Sequence, residues 1–399
     1  MVPPTPFPSV PPQREWRWRL PVEGSRWVFL ALVLLAFGIA KTINLLALLG
    51  CCMVSVVVLN ALTAGRGLRR LRARRRFIEA LTAGEPSLLE VDVNNTARGA
   101  RMGLRLVDSG PEQSPGWFLP RLNGGAVETL SAPVTLSRRG RHSWGPLHVE
   151  SGHPFGLVCR RRVLLEAQEV LVWPRMGKLD QTRFRRFLIG ALPLPDRYRG
   201  RPRPQPQAQT EFFGLRHYRP GDSPRSIHWR SSARRRELLV RECEEPAGED
   251  LILVVDPSLE GQSPDAFEEA VSLAATICRV WCRRAGNRLA LVIAGAGPIV
   301  LDGPTGPAHE RRMLDRLAVL EPGAASTAQP LARTLLAAHL PHAPVVLIAA
   351  AAGATAGIVQ RALRRSVLSL NSDRACALGF YQKPADHLPT GEPEPSGSG

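Results

Sequence analysis

From Trp27 to Ala40 every residue is apolar or Gly, and after Lys41-Thr42 a second stretch, Ile43 to Leu62, is broken only by small or amide side chains. A helix needs about 20 such residues to cross the bilayer core. The second stretch meets that length outright. The first meets it by reaching back towards Pro21, with Glu23 and Arg26 near the interface, where an Arg stem lies along apolar surface while its head reaches water. Residues 21–63 are therefore expected to form a two-helix transmembrane hairpin behind a Pro-rich tail, 1–20. Gly38-Ile39-Ala40 also has the small-residue spacing of a signal-peptide cleavage site. Cleavage there would leave the next apolar stretch as a stop-transfer span.

The pattern changes after the hairpin. Between Ser87 and Trp173, short alternating runs such as Leu89-Glu90-Val91-Asp92-Val93, Leu104-Arg105-Leu106-Val107 and Val170-Leu171-Val172-Trp173 are separated by Gly, Pro and Asn. Period-two alternation with regular turns predicts an immunoglobulin-like β-sandwich over 85–176. Residues 177–210, dense in Pro and Arg from Pro193 to Gln209, read as an extended linker. Beyond a segment at 211–245, strand and helix alternate. Strands are expected at Leu251–Val255, Leu289–Ala294, Val345–Ala350 and Ala375–Phe380. Helices are expected at Pro264–Ala285, Ala308–Leu320, Pro330–Leu340 and Thr355–Leu368. This α/β order, over 246–383, packs as a mainly parallel sheet with helices on both faces. The Gly/Pro/Ser/Glu tail, 384–399, has no core-forming content.

A length of 399 residues allows more than one core. Of the 52 basic residues, 49 are Arg and three are Lys, and the formal net charge is +17. Arg suits bidentate anion recognition, but its spread over every segment equally fits a GC-rich genome. Charge also orients the hairpin. Arg14, Arg17, Arg19 and Arg26 precede the first span, Arg66 to Arg76 follow the second, and Lys41 stands between them. The positive-inside rule then places both termini and the body in the cytoplasm of an inner-membrane protein. The Arg run reads as a juxtamembrane helix, 64–84, drawn to anionic membrane lipid. Seven scattered Cys give no disulfide framework, and Cys278 with Cys282 lack the second pair a zinc site needs.

One string stands apart: Phe213-Gly214-Leu215-Arg216-His217-Tyr218-Arg219-Pro220-Gly221-Asp222-Ser223-Pro224-Arg225-Ser226-Ile227-His228-Trp229. Local chemistry explains much of it. Pro220-Gly221 makes a turn, Asp222 or Ser223 caps a helix opened by Pro224, and Arg225 stacks on Trp229 four residues on. The string resembles the signature of the bacterial "domain of unknown function 58" family, G-x-R-x-Y-x-x-G-D-x-x-R-x-I-x-W. The chain supports that resemblance elsewhere, with His153-Pro154-Phe155-Gly156-Leu157, the segment Val172-Trp173-Pro174-Arg175 and the twin spans. His153 and His228 stand where the family usually has Asp, or Asp or Asn. The matching residues Gly214, Arg216, Tyr218, Gly221, Asp222, Arg225 and Trp229 read as a structural latch or a partner-binding surface.

The resemblance implies that the last domain is von Willebrand A-like (Rossmann-type). It also implies a partner, a MoxR-type AAA+ ATPase acting in protein maturation or envelope assembly. Such domains hold Mg²⁺ through a D-x-S-x-S loop, a Thr and a further Asp. Here Asp256, Ser258 and Thr327 match, Glu260 replaces the second Ser, and Ala351-Ala352-Gly353 offers no carboxylate, so a degenerate site with no resident cofactor is expected. Asp256 is then free to cap the following helix. No P-loop, G-x-S-x-G elbow or H-E-x-x-H helix is present. The expected function is non-enzymatic contact with a partner, without a small-molecule substrate. A hydrolase using His217 or His228 beside Asp222, and an anionic-lipid or nucleic-acid binder using the Arg run, are the alternatives.

Overall fold

Strand β1 (Arg17–Arg19) leads into helix α1 (Val22–Ala40), which turns through Lys41 to Ile43 into α2 (Asn44–Gly67). The turn is closed by the Ile43 N–H donating to Gly38 O at 2.9 Å. Small residues let the two backbones touch. A Cβ on Gly38 would lie 2.5 Å from Ala47 N, and one on Gly50 would lie 2.8 Å from Leu35 N; such contacts are how apolar helices pair where no hydrophobic force separates them from lipid. Both helices are long and apolar enough to cross a membrane, with mean hydropathies of 1.7 and 2.5. Their outer faces leave Phe29, Leu32, Leu45, Leu48 and Val58 exposed, which the core helices of a soluble domain do not.

The computed structural model describes residues 17–191, 211–218, 227–244, 250–259, 261–284, 286–323, 328–350 and 353–384. The chain divides into two units, Met1–Trp173 and Pro174–Gly399. In the first, the hairpin is followed by β2 (Leu71–Phe77), β3 (Ser87–Asn95), β4 (Arg101–Asp108), β5 (Gly116–Leu122) and β6 (Val127–Val134). After these come β7 (Gly140–Trp144), β8 (Leu147–Ser151), β9 (Cys159–Leu165) and β10 (Gln168–Val172). They pair antiparallel in the orders β1-β9-β8-β4-β5, β2-β3-β6 and β10-β7. Alternate residues of these sheets, among them Leu71, Val91, Leu104, Leu106, Trp144, Val149 and Val172, bury one shared core.

The Arg run corrects the expected juxtamembrane helix. Helix α2 stops at Gly67, Arg70 takes a left-handed φ of 61°, and Leu71–Phe77 is a strand. Its burial alternates, with Leu71, Ala73 and Arg75 inward and Arg72 and Arg76 outward or half-buried. Arg75 tolerates the core because its charge is matched by Asp108. Its Nε donates to Asp108 Oδ2 at 2.8 Å, its Nη2 to Asp108 Oδ1 and, at 2.8 Å, to Gly145 O, and its guanidinium lies over the Trp144 ring.

The second unit opens with β11 (Lys178–Leu179) and α3 (Gln181–Ala191), inside the stretch expected to be linker. Helix α3 belongs to the core because Phe184 and Leu188, four apart, share its buried face, and Phe184 meets Trp281 and Phe380 at 6.2 and 5.2 Å. The Pro/Arg-dense part of that stretch, 192–210, lies outside the described residues, as do 1–16 and 385–399, where the N- and C-terminal tails were expected. Next come β12 (Glu211–His217), α4 (Trp229–Arg235) and β13 (Leu239–Glu244), with β12 and β13 antiparallel.

The remainder is β14 (Leu251–Val255), α5 (Pro264–Cys282), β15 (Arg288–Ile293), β16 (Ile299–Pro304), α6 (Pro307–Ala318), α7 (Ala328–Ala337), β17 (Val345–Ile348), α8 (Thr355–Leu363), β18 (Val367–Leu370), α9 (Ser372–Ala377) and β19 (Tyr381–Gln382). The sheet runs β16-β15-β14-β17-β18, parallel except for the edge strand β16. Two expectations fail at its end. Residues 367–368, expected to end a helix, belong to β18, and 375–377, expected to begin a strand, are helix. The reason is Asn371, whose side chain accepts the Arg374 N–H at 2.9 Å and starts α9 one residue after the strand.

Candidate functional site

Strand β14 is buried along its whole length because parallel neighbours flank it on both sides and helices cover the sheet. Sheet order reverses here. The chain leaves β14 for β15 on one side and returns to β17 on the other, and open α/β sheets bind ligands beyond the carboxyl ends of strands at such a point. Asp256 follows β14 directly. Its N–H donates to Ile348 O at 2.9 Å, and its side chain is 1 % exposed. Oδ1 accepts the Ser258 N–H at 3.0 Å, closing an Asx turn, while Oδ2 is buried with no hydrogen-bond partner among the described residues. The loop is held from below by Gly323, whose N–H donates to Pro257 O at 3.0 Å and which bridges Ser258. Asp256 does not cap α5. Ser263 does, accepting the Ala266 N–H.

Beside this loop lies a cleft of about 250 Å³, lined by Gln262, Ala266, Glu269, Ala350, Asn371, Ser372 and Asp373. Ser372 Oγ is buried there with no partner among the described residues. At the cleft wall Lys383 Nζ donates to Glu269 Oε1 and Oε2 and to Asp373 Oδ1, each at 2.8 Å. Those bonds, to Asp373 first and then Glu269, push the Lys383 ammonium above its ordinary range. The cleft was not anticipated from the sequence. Its one legible signal is Asn371-Ser372-Asp373, a helix-start pattern.

The signature residues divide. Gly214 and Arg216 sit in β12, opposite Glu242 and Val240 of β13. The Tyr218 N–H donates to Leu238 O at 2.9 Å, continuing the hairpin. Trp229 is 63 % exposed. Gly221, Asp222 and Arg225 lie outside the described residues. The helix expected from Pro224 onwards does not run through this segment: Ile227 bridges Val240, and His228 is the N-cap, its Nδ1 accepting the Ser231 N–H at 3.2 Å. Trp229 is thus the first residue of α4. His217 is the last residue of β12.

For Mg²⁺, which wants near-octahedral oxygen coordination, the described residues offer one carboxylate, Asp256, and one hydroxyl, Ser258. Glu260 and Thr327 lie outside the described residues, Ala349 and Ala350 close the β17 loop without a donor, and the described residues hold no group of three or more His, Cys, Asp or Glu suited to a metal. The described donor set does not fit a resident cation. Nor do the buried thiols suit nucleophilic chemistry. Burial raises Cys278 well above the ordinary thiol range and pushes Cys282 up to about 11, so both are neutral at pH 7.

Comparison with known proteins bears on the family of this segment. Residues 214–366 match the model of the family described as "Protein of unknown function DUF58". Over these residues the chain is similar to the DUF58 family. The match starts at the signature glycine, takes in β14, Asp256, β15 and β17, and ends just before β18. The chain is also 28 % identical over 206 residues to "Uncharacterized protein YeaD" of Bacillus subtilis (strain 168), covering 51 % of this chain and 49 % of that protein. It therefore spans about half the length of the curated relative it matches. Among solved structures, the CARDB domain of a Pyrococcus furiosus protein matches 26 % of this chain and 91 % of its own at 12 % identity and a TM-score of 0.20. A Listeria innocua β-glucosidase matches 26 % and 16 % at 16 % identity and a TM-score of 0.17.

Proposed function

We propose that this protein is a membrane-anchored, non-enzymatic interaction protein whose DUF58 segment presents the carboxyl edge of its sheet to a protein partner. The observation that carries this reading is Asp256: a buried carboxylate at the switch point of a parallel sheet, with one oxygen that has no hydrogen-bond partner among the described residues. An uncompensated buried charge costs stability, and such groups persist where they serve contact rather than folding. The strand order and the parallel ladders support classing this sheet as a von Willebrand A-like domain, and the shared core of the antiparallel sheets supports an immunoglobulin-like sandwich. The use of His228 as a cap and the neutral thiols favour contact over hydrolysis.

The hairpin is the anchor. Arg19, Arg26, Arg69 and Arg70 stand at its open end and Lys41 at its turn, so the positive-inside rule puts the body in the cytoplasm. The DUF58 resemblance supplies the partner class, a MoxR-type AAA+ ATPase. The test is direct binding of detergent-solubilised full-length protein to a purified MoxR-type ATPase, wild type against Asp256→Ala. The reading expects binding to be lost in the variant. Equal binding by both, or none by the wild type, would reject it.

A further inference from the structure

The loop Gly152 to Val158, between β8 and β9, is tied to both helices of the hairpin. Asn60, fully buried within α2, donates through Nδ2 to Gly152 O at 2.9 Å and accepts the Val158 N–H on Oδ1 at 2.8 Å. One amide thus clamps both ends of the loop and explains why an apolar helix carries it. On α1, Gly24 is packed so tightly against the loop that a Cβ would lie 2.0 Å from Leu157 O. Between these anchors His153, Pro154, Phe155 and Gly156 are exposed, and Phe155 is 53 % exposed.

The height of this attachment is what matters. Asn60 is sixteen residues from the start of α2 at Asn44, and Gly24 sixteen from the end of α1 at Ala40. At the helical rise both lie roughly 24 Å from the hairpin turn. The hydrocarbon core is about 30 Å thick. The charged Lys41 keeps the turn at or beyond the far boundary of that core, so the level of Asn60 and Gly24 falls at or inside the near boundary. Helix tilt only brings it deeper.

From this we infer that the loop 153–157 is a membrane wedge: Phe155 and its apolar neighbours enter the lipid at the interface, and arginines above them hold anionic headgroup phosphates. The inference rests on the anchor reading of the hairpin. Two of those arginines, Arg160 and Arg161, follow the loop directly in β9. Arg160 stacks on Trp18, 3.5 Å from its ring centroid, and Arg160 and Arg161 pair across to Trp18 and Arg17 of β1. Burial and the nearby Arg69 charge both lower the Arg160 pKa, which marks a concentrated positive region. The end of α2 at Gly67 lies roughly 35 Å from the turn by the same rise, at the headgroup layer, and Arg69 and Arg70 follow it. Anionic lipid answers such a cluster.

The test places the photoreactive analogue p-benzoylphenylalanine at one phenylalanine at a time in the full chain, reconstituted in phosphatidylcholine–phosphatidylglycerol vesicles. Position 29, on the outer face of α1, reports the span. Position 118, exposed on β5, reports the aqueous body. Lipid adducts are expected at 29 and 155 and not at 118. Adducts at 29 but not at 155 would overturn the wedge and leave the anchor standing, whereas adducts at neither would overturn both. A second measurement addresses the headgroups. The Arg69→Gln, Arg160→Gln double variant is expected to retain severalfold less phosphatidylglycerol in native mass spectrometry, and unchanged retention would remove the arginines from the proposal.

Discussion

Asp108 and Asp256 are buried alike, at 0 % and 1 % exposed, yet their surroundings differ in kind. Asp108 meets Arg75 with both carboxylate oxygens inside the antiparallel unit, and Arg75 spends its remaining reach on Gly145 O and the Trp144 face. Asp256, at a strand end, has one oxygen on its own loop and the other unsatisfied among the described residues. The first is a charge closed within the fold. The second is, on the proposed function, a charge the fold carries for a partner. Burial alone therefore does not distinguish the two carboxylates; the partners of their oxygens do.

The sharpest way to break this contrast is Arg75→Ala. It strands Asp108 in the core and is expected to cost about 3–5 kcal/mol, read as a lowered denaturation midpoint of the purified protein. Converting both partners, Arg75→Met with Asp108→Leu, should recover most of that loss, because apolar replacements of a buried pair are often neutral. If the double variant is no better than the single, the pair carries more than a local ion pair.

Next in size is Asn60→Ala, which leaves Gly152 O and the Val158 N–H without their partner. A loss of about 1–3 kcal/mol is expected, with faster proteolysis within 152–158 as a local readout. Intact resistance there would detach the loop from the hairpin.

Smaller still is Lys383→Met at the cleft wall, where the ion pairs are exposed to solvent and salt. It is expected to cost below about 1 kcal/mol, less at high ionic strength. The sign with pH follows from Lys383 being raised above its ordinary value of 10.5 by Asp373 and Glu269. The folded state holds that proton more tightly, so the contribution is full below pH 10.5 and fades as pH rises beyond it. A stability difference between wild type and variant that grew above that pH would contradict the assignment.

Much of this was legible in the sequence and some was not, for physical reasons. The hairpin announced itself because a continuous apolar run has few other uses. The strands of the first unit showed because alternation is local. The Arg run misled because Arg75 faces inward only by virtue of Asp108, 33 residues away and invisible to any local period. Helix α3 was hidden behind the neighbouring Pro/Arg-dense composition, although Phe184 and Leu188 carried a helical period. Asp256 and Ser258, to which the family resemblance pointed, do share one buried turn. Their companion Thr327 and the signature residues Gly221, Asp222 and Arg225 lie outside the described residues. The cleft was illegible because three distant segments, around Ala266, Ala350 and Ser372, build it together.

Asp256→Asn tests the central claim most directly, since it keeps the Oδ1 acceptor for Ser258 while discharging the group. Thermal midpoint and affinity for a MoxR-type ATPase should be measured on the same preparation of the full chain. The account predicts an unchanged or slightly higher midpoint together with a severalfold loss of affinity. A lowered midpoint with affinity intact would make Asp256 a second Asp108, a group that serves the fold alone.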